Sequence, residues 1–271
     1  MPELPEVETT RRGLAPLVVG QSIAGLTVRQ SQLRWPVAAE LAQLSGQVVR
    51  RLKRRAKWLI WSFDDGSLLW HLGMSGSFRA WEQPPPAGRH DHIDVAISHG
   101  HVVRYTDPRR FGAVLWQPGA DPLLHPRLAG LGPEPLDPAF NGDALWRLSR
   151  GRKTSIKQFI MDGANVVGVG NIYAAEALFS AGIHPKRAAG RVGRQRYGVL
   201  AEAIRVTLSS AIAVGGTSLR DFTVGDGTPG YFGQQLKVYG RPGQACPNCG
   251  RALKSEVIGQ RATVWCGGCQ H

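Results

Sequence analysis

Short runs crowded with β-branched and aromatic residues dominate the first part of the chain. IAGLTVR (23–29), GQVVRRLKR (46–54), KWLIWSF (57–63), SLLWHLG (67–73), HIDVAIS (92–98) and HVVRYTD (101–107) each have the length and composition of a strand. DDG (64–66) and SHG (98–100) separate neighbouring runs as hairpin turns. Ahead of them the pattern is helical. Pro5 suits a first helical position, Glu6 and Glu8 complement the helix dipole in the first turn, and Val7 and Leu14 can face a core. One helix followed by regularly spaced strands predicts an antiparallel sandwich or barrel.

The period then changes. Residues 117–140 carry six prolines and read as a linker or a meandering surface loop. Beyond them NGDALWRLSR (141–150), KTSIKQFIMD (153–162), NIYAAEALFSAG (171–182) and GRQRYGVLAEAIRVTLSSAIAVGG (193–216) suit helices. Asn141 or Asp143 can cap the first, and Gly182 and Gly215 fit C-terminal stops. Residues 217–233 hold five glycines or prolines with little periodicity and read as a mobile loop. The chain is thus α+β and multidomain. The expected division is a β-rich domain over 1–116, a linker over 117–140, a helical domain over 141–236, and a small metal module over 237–271.

Charge narrows the choice of partner. The 271 residues contain 33 lysines and arginines against 20 aspartates and glutamates, a net +13, which points to a polyanion and most often to nucleic acid. No segment joins a large apolar face to a basic one, so a membrane surface is the weaker option. No apolar run approaches the roughly 18 residues of a membrane span. The acidic N-terminus is unlike a signal or transit peptide, and a cytoplasmic protein is expected.

All four cysteines lie near the C-terminus. Cys246-x2-Cys249 and Cys266-x2-Cys269 are separated by sixteen residues, the pattern of a four-thiolate tetrahedral zinc site. Two disulfides, or free thiols, are the bland alternatives. A closed shell of four cysteines leaves zinc no open position, so the ion is expected to be structural. LKSEVIGQRATVW (253–265) reads as a hairpin turning near Gly259 and Gln260, with Arg261 just past its tip. There Arg261 can reach a ligand or simply be solvated.

RRLKRRAKW places six positive charges between Arg50 and Lys57, with no acidic residue from Leu41 to Phe63. Such density favours phosphate contact over a merely solvated strand. Lys57 precedes the apolar WLIW, where partial desolvation suits a lysine to proton transfer. TDPRRFG (106–112) puts Arg109 and Phe111 on one turn. A planar cation beside an aromatic wedge can enter a base stack, although a surface arginine and a core phenylalanine explain the same residues. Met74 in HLGMSG is equally two-sided. VVGVGNIYAAEALF (166–179) turns through glycine into a helix whose first N–H groups suit phosphate, but it lacks the lysine of a P-loop. One oddity is left: helix chemistry accounts for Pro5, Glu6 and Glu8, but not for Pro2 and Glu3. With Met1 removed, Pro2 is a free secondary amine beside a carboxylate.

PELPEVE after Met1, Lys57, RRFG (109–112), VVGVGNIYA and the four-cysteine finger with QRAT together resemble the formamidopyrimidine-DNA glycosylases, in that family's order and over almost the whole chain. The resemblance implies an N-terminal helix and β-sandwich, then a helix–two-turn–helix domain and a zinc finger. It implies excision of oxidised purines (8-oxoguanine, formamidopyrimidines) from double-stranded DNA, followed by β,δ-elimination at the abasic site. Pro2 matches the family's nucleophile, Glu3 its acid, Glu6 a supporting carboxylate, Lys57 the proton donor in β-elimination, and Arg261 the group assigned to δ-elimination and phosphate contact. Met74, Arg109 and Phe111 match the void-filling trio, with Arg109 on the cytosine opposite the lesion. His90, Arg109, Arg152 and Asn171 match DNA contacts. At 152 lysine is common in relatives, and Ala175 stands where many have serine. Residues 217–227 fall on the family's lesion-recognition loop. The cysteine spacing gives one zinc per chain, one active site per chain points to a monomer, and the likeness implies a bacterial, nucleoid-associated location.

Two rivals share parts of this pattern. Endonuclease VIII has the fold and the Pro2 chemistry but prefers oxidised pyrimidines; ELPE, and Arg109 with Phe111, favour the purine enzyme. A noncatalytic zinc-finger DNA-binding protein would explain the charge and the cysteines, but not Pro2-Glu3 or Lys57.

Overall fold

The structure is a computed structural model that describes residues 2–216, the backbone of 222–224, and 235–271. The chain divides into two compact units, Met1–Gly130 with Gly215–Tyr231, and Leu131–Val214 with Phe232–His271.

The first unit begins with helix α1 (Leu4–Val18). Strands β1 (Ile23–Val28), β2 (Arg51–Arg55), β3 (Trp58–Ser62), β4 (Gly66–His71), β5 (Ser77–Trp81), β6 (Asp91–Ile97), β7 (Val102–Thr106) and β8 (Ala113–Pro118) follow, then the short α2 (Pro126–Ala129) and, later in the chain, β9 (Phe222–Val224). They form a five-stranded sheet, β1-β6-β7-β5-β9, and a four-stranded sheet, β2-β3-β4-β8. Pairing is antiparallel throughout except between β5 and β9, which run parallel. Aromatic side chains join the two sheets. Trp70 of β4 lies 5.1 Å from Phe78 of β5 and 5.5 Å from Tyr105 of β7, ring centroid to centroid, and Trp61 of β3 lies 6.5 Å from Phe78. Rings at these separations fill a sandwich core and resist sliding, because each pair has a preferred tilt. Val7, Leu14 and Val18 of α1 are buried in the same core. Their spacing of seven and four puts them on one helix face.

The sandwich is the expected one, with differences in detail. GQVVRRLKR is a strand only over its second half, while Val48 makes an isolated bridge to Ser22. β5 and β8 were not among the expected strands. β5 is short and carries Arg79 at its centre, and β8 runs into the proline-rich stretch, where Pro118 is tolerated at a strand end. That stretch includes a helical turn at Pro122–Leu124 as well as α2.

The second unit holds α3 (Gly142–Ser149), α4 (Ile156–Met161), α5 (Asn171–Ser180), α6 (Arg194–Ala213) and the hairpin β10 (Lys254–Ile258)–β11 (Arg261–Trp265). Asn141, not Asp143, caps α3: its Oδ1 accepts from Ala144 N at 2.9 Å. α5 ends at Gly182, whose φ of +66° is the left-handed conformation of a helix stop. Glu176 of α5 is buried and accepts three backbone N–H bonds, from Lys237, Val238 and Tyr239 at 2.8–2.9 Å. It fixes the chain where it re-enters this unit. The mobile loop expected over 217–233 lies outside the described residues except for β9. No helix among the described residues is long and apolar enough to cross a membrane.

Candidate active site

The start of α1 is buried although it is polar. Pro2 is buried, and Glu3 and Glu6 are only 1% and 2% exposed. Glu3 is the N-cap, in extended conformation, and Pro5 lies in the first helical turn. Glu6 stands at the third helical position, and its Oε2 accepts from Glu3 N at 2.9 Å. That bond satisfies a backbone donor at the helix start and fixes the peptide next to Pro2. Gly216, at φ +83°, packs against the same carboxylate; a Cβ there would lie 2.9 Å from Glu6 Oε1. Two carboxylates and an imino acid thus share the positive end of one helix dipole.

Lys57 lies on the two-residue turn between β2 and β3, since Arg55 pairs with Trp58 across the hairpin. The other turn residue, Ala56, has φ +54°, a left-handed backbone that costs an L-residue about 1–2 kcal/mol. Arg54 supports the turn by donating to the Ala56 carbonyl at 3.0 Å, and it reaches Glu8 of α1 at 3.2 Å. Glu8 also accepts from Arg11 at 2.8 Å and Arg12 at 3.0 Å. Burial alone would raise the Glu8 carboxyl, but the Arg11, Arg12 and Arg54 guanidinia hold it below the usual range. Sequence reasoning missed His71, which sits opposite Trp58 in the β3–β4 register. Burial drives its imidazole down to about 4, and the charges of Lys57 and Arg34 push the same way while Asp107 opposes them. Its Nδ1 accepts from Gly73 N at 2.9 Å, so a neutral ring carries its proton on Nε2.

The β4–β5 turn and the loop before β8 carry Met74, Arg109 and Phe111. Phe111 is 43% exposed, a costly state for a large ring, and the Arg109 guanidinium stacks over it at 4.9 Å. Met74 is half-buried. His90, half-buried, precedes β6, and its carbonyl accepts from Asp107 N at 3.0 Å.

In the second unit Arg152 is exposed just beyond α3, and its carbonyl accepts from Gly190 N at 3.0 Å. Asn171 is the first residue of α5 and donates through Nδ2 to the Ala262 carbonyl at 3.0 Å. Its buried Oδ1 finds no hydrogen-bond partner among the described residues. Arg261 is exposed and opens β11, directly after a turn whose two residues, Gly259 and Gln260, have φ +57° and +62°. Paired left-handed residues are the mark of a tight hairpin turn that matches strand twist. Lys157, fully buried on α4, was not anticipated. Its Nζ donates to Thr263 Oγ1 at 2.5 Å and to the Ala262 carbonyl at 3.2 Å, and Thr263 donates to the Arg261 carbonyl at 3.0 Å. A lysine among the buried Ile156, Phe159 and Ile160 is the one sequence signal that could have found it, because such a charge requires a partner.

The sulfurs of Cys246, Cys249, Cys266 and Cys269 all lie within 4.8 Å of one another. Thiols this close cannot all ionise unaided; contact with Cys249, the largest effect, helps push Cys269 up to about 12. A dication at their centre removes that repulsion and takes four thiolates, which is zinc chemistry.

Three family models match the chain in order: the formamidopyrimidine-DNA glycosylase N-terminal domain over residues 1–114, the H2TH domain of the same enzymes over 131–223, and a zinc finger found in FPG and IleRS over 243–271. The chain belongs to the formamidopyrimidine-DNA glycosylase family. Formamidopyrimidine-DNA glycosylases of Alkalilimnicola ehrlichii and of Stenotrophomonas maltophilia strain K279a are 58% and 56% identical to it over the full length of both chains. Among solved structures, the MutM (FPG) protein of Thermus thermophilus matches with a TM-score of 0.87 and 37% identity, over 99% of this chain and 98% of that one. A Lactococcus lactis FPG mutant in complex with Fapy-dG-containing DNA matches with a TM-score of 0.91 and 31% identity over all of both chains. Like other formamidopyrimidine-DNA glycosylases, this is a bacterial base-excision repair enzyme, a bifunctional DNA glycosylase and AP lyase that acts on DNA and holds one structural zinc.

Proposed function

We propose that the enzyme flips oxidised purines, 8-oxoguanine and formamidopyrimidines, out of duplex DNA, with Pro2 as nucleophile once Met1 has been removed. Duplex stacking hides the target, so extrusion must precede chemistry. The Pro2 nitrogen bonds to C1′ as the base leaves with the glycosidic electron pair, and the proton that the amine sheds neutralises the departing base. Glu3 protonates the ring oxygen as the sugar opens, and the nitrogen lone pair forms an iminium. That cation draws electrons from the C2′–H bond as the 3′ phosphate departs, and a second elimination releases the 5′ phosphate. Glu6 holds the attacking end of the chain, Lys57 handles the proton of the first elimination, and Arg261 serves the second and binds phosphate. Met74, Arg109 and Phe111 fill the void, Arg109 reads a cytosine opposite the lesion, and His90, Arg152 and Asn171 contact the DNA.

The observation that supports this most is the buried Pro2-Glu3-Glu6 start of α1, pinned by the 2.9 Å bond from Glu3 N to Glu6. An ordinary helix end is exposed and frayed. MutM in complex with carbocyclic 8-oxo-G-containing DNA, and Lactococcus lactis Fpg in complex with abasic-site DNA, are similar to this chain at TM-scores of 0.90. The enzyme works as a cytoplasmic, nucleoid-bound monomer.

The test is borohydride trapping on 8-oxoguanine duplexes, with intact mass establishing loss of Met1. Pro2→Gly should weaken trapping and strand cleavage with little change in DNA affinity. Glu3→Gln should lose base excision but keep cleavage at preformed abasic sites. Undiminished trapping by Pro2→Gly would remove Pro2 from the mechanism. Thymine glycol duplexes processed faster than 8-oxoguanine duplexes would favour the endonuclease VIII-like reading.

A further inference from the structure

Asp107 is fully buried, and no step of the reaction above uses it. Its two carboxylate oxygens are both occupied. Oδ1 accepts from Ser75 Oγ at 2.5 Å, while Oδ2 accepts from Gly112 N at 2.8 Å and from Tyr105 OH at 3.2 Å. Its backbone is equally committed: its N–H donates to His90 O at 3.0 Å, and its carbonyl accepts from Arg110 N at 3.1 Å and pairs with His92 Nε2 at 2.8 Å.

Ser75 completes a relay. Its hydroxyl donates a hydrogen bond to Asp107 and accepts one from the Arg109 N–H at 3.1 Å. The residue after Met74 is therefore bonded at once to the backbone of Arg109 and to the carboxylate that holds Gly112, the residue after Phe111. Steric fit reinforces these bonds. A Cβ on Gly73, at φ +63°, would lie 2.3 Å from the Phe111 carbonyl carbon, and one on Gly112 would lie 1.9 Å from Tyr105 OH. The β4–β5 turn and the 107–112 loop are thus packed backbone to backbone, with one buried carboxylate as their common acceptor.

We propose that Asp107 and Ser75 are a positioning pair that sets Arg109 and Phe111 against Met74, and so governs selectivity for the base opposite the lesion. The proposal rests on the reading that these three side chains enter the duplex. An exposed arginine and phenylalanine have many rotamers, and a loop free to shift would let Arg109 satisfy either opposing base. Directional discrimination needs a fixed backbone origin for the guanidinium fork. The buried carboxylate supplies it, because losing one of its partners leaves a desolvated donor or acceptor unpaired.

The experiment compares excision rates for 8-oxoguanine opposite cytosine and opposite adenine in the parent, Ser75→Ala, Ser75→Thr, Asp107→Asn and Arg109→Lys. Borohydride trapping on a single-stranded abasic oligonucleotide serves as the second readout, since that substrate has neither stack nor opposite base. Ser75→Ala should cut the cytosine-to-adenine ratio by about tenfold, the size of a lost directional base contact, without changing single-strand trapping. Ser75→Thr, which keeps the hydroxyl, should restore the ratio. Asp107→Asn should lower it at least as far, since an amide N–H now faces a donor. An unchanged ratio in Ser75→Ala, with a lowered ratio in Arg109→Lys, overturns the pair while leaving the duplex-entry reading intact. An unchanged ratio in Arg109→Lys overturns both. Equal losses of excision and single-strand trapping in Ser75→Ala would show general structural damage and also overturn the proposal.

Discussion

The guanidinium of Arg54 reaches Glu8 at 3.2 Å and so ties the helix that follows Pro2 to the hairpin turn that carries Lys57. Glu8→Gln keeps the size and removes the charge shared by three arginines. Its cost at pH 7 should be about 1–3 kcal/mol, that of leaving partly buried donors underpaired. The folded-state pKa of Glu8 lies below its ordinary 4.5. Its stabilisation is therefore complete above pH 4.5 and is lost as pH falls through the lower folded value. Urea unfolding of parent and variant should give a clear gap at pH 7 that narrows at pH 3. An equal gap at both would mean that the Glu8 charge contributes nothing.

His71 gives a second pH signature in the same unit. Its folded pKa is about 4 against an ordinary 6.5, so the folded state disfavours the proton. The linked stability is complete above pH 6.5 and drains away as the pH falls toward 4. Proton NMR of the free enzyme should show the His71 ring signals unmoved from pH 8 to pH 5.5. A midpoint near 6.5 would contradict the burial and the neighbouring Lys57 and Arg34 charges that lower it.

The zinc prediction couples metal to the Arg261 hairpin. Cys249 is the exposed ligand, yet it completes the shell. Cys249→Ser should drop zinc well below one equivalent by elemental analysis and unfold the hairpin, since small metal modules fold on their metal. DNA affinity should fall with it. Full zinc retention in that variant would show that three cysteines suffice.

Much of this was legible in the sequence, for reasons that differ by element. The cysteine pairs declare themselves because tetrahedral thiolate coordination fixes spacing. The β10–β11 hairpin was visible in Gly259 between β-rich runs. β5 was not, because Ser77–Trp81 is short and broken by Arg79; long-range pairing with β7 makes it a strand. Lys157, Asp107 and Ser75 were missed for a different reason. Their roles depend on partners up to 106 residues away: the apolar neighbours of Lys157 flag a buried charge without naming its partner, and a lone aspartate or serine shows no sign of one. The N-terminal site lay between these cases: Pro2-Glu3 stood out as unexplained by helix chemistry, but the Gly216 contact on Glu6 joins residues 6 and 216 of the chain.

That contact separates local strain from effects on the site. Gly216 has φ +83°, and an added Cβ would lie 2.9 Å from Glu6 Oε1 and 3.3 Å from its Cγ. Gly20 has nearly the same backbone, φ +80°, with nothing within 4 Å of the added atom. Each alanine should cost about 1–2 kcal/mol of stability for a left-handed L-residue. Only Gly216→Ala must also push the Glu6 carboxylate, the acceptor for Glu3 N beside Pro2. Gly20→Ala should therefore lower the melting temperature and leave the borohydride-trapping rate unchanged. Gly216→Ala should lower the melting temperature by a similar amount or more and slow trapping besides. If the two variants trapped DNA at the same rate, the packing of Gly216 on Glu6 would have no part in placing the nucleophile.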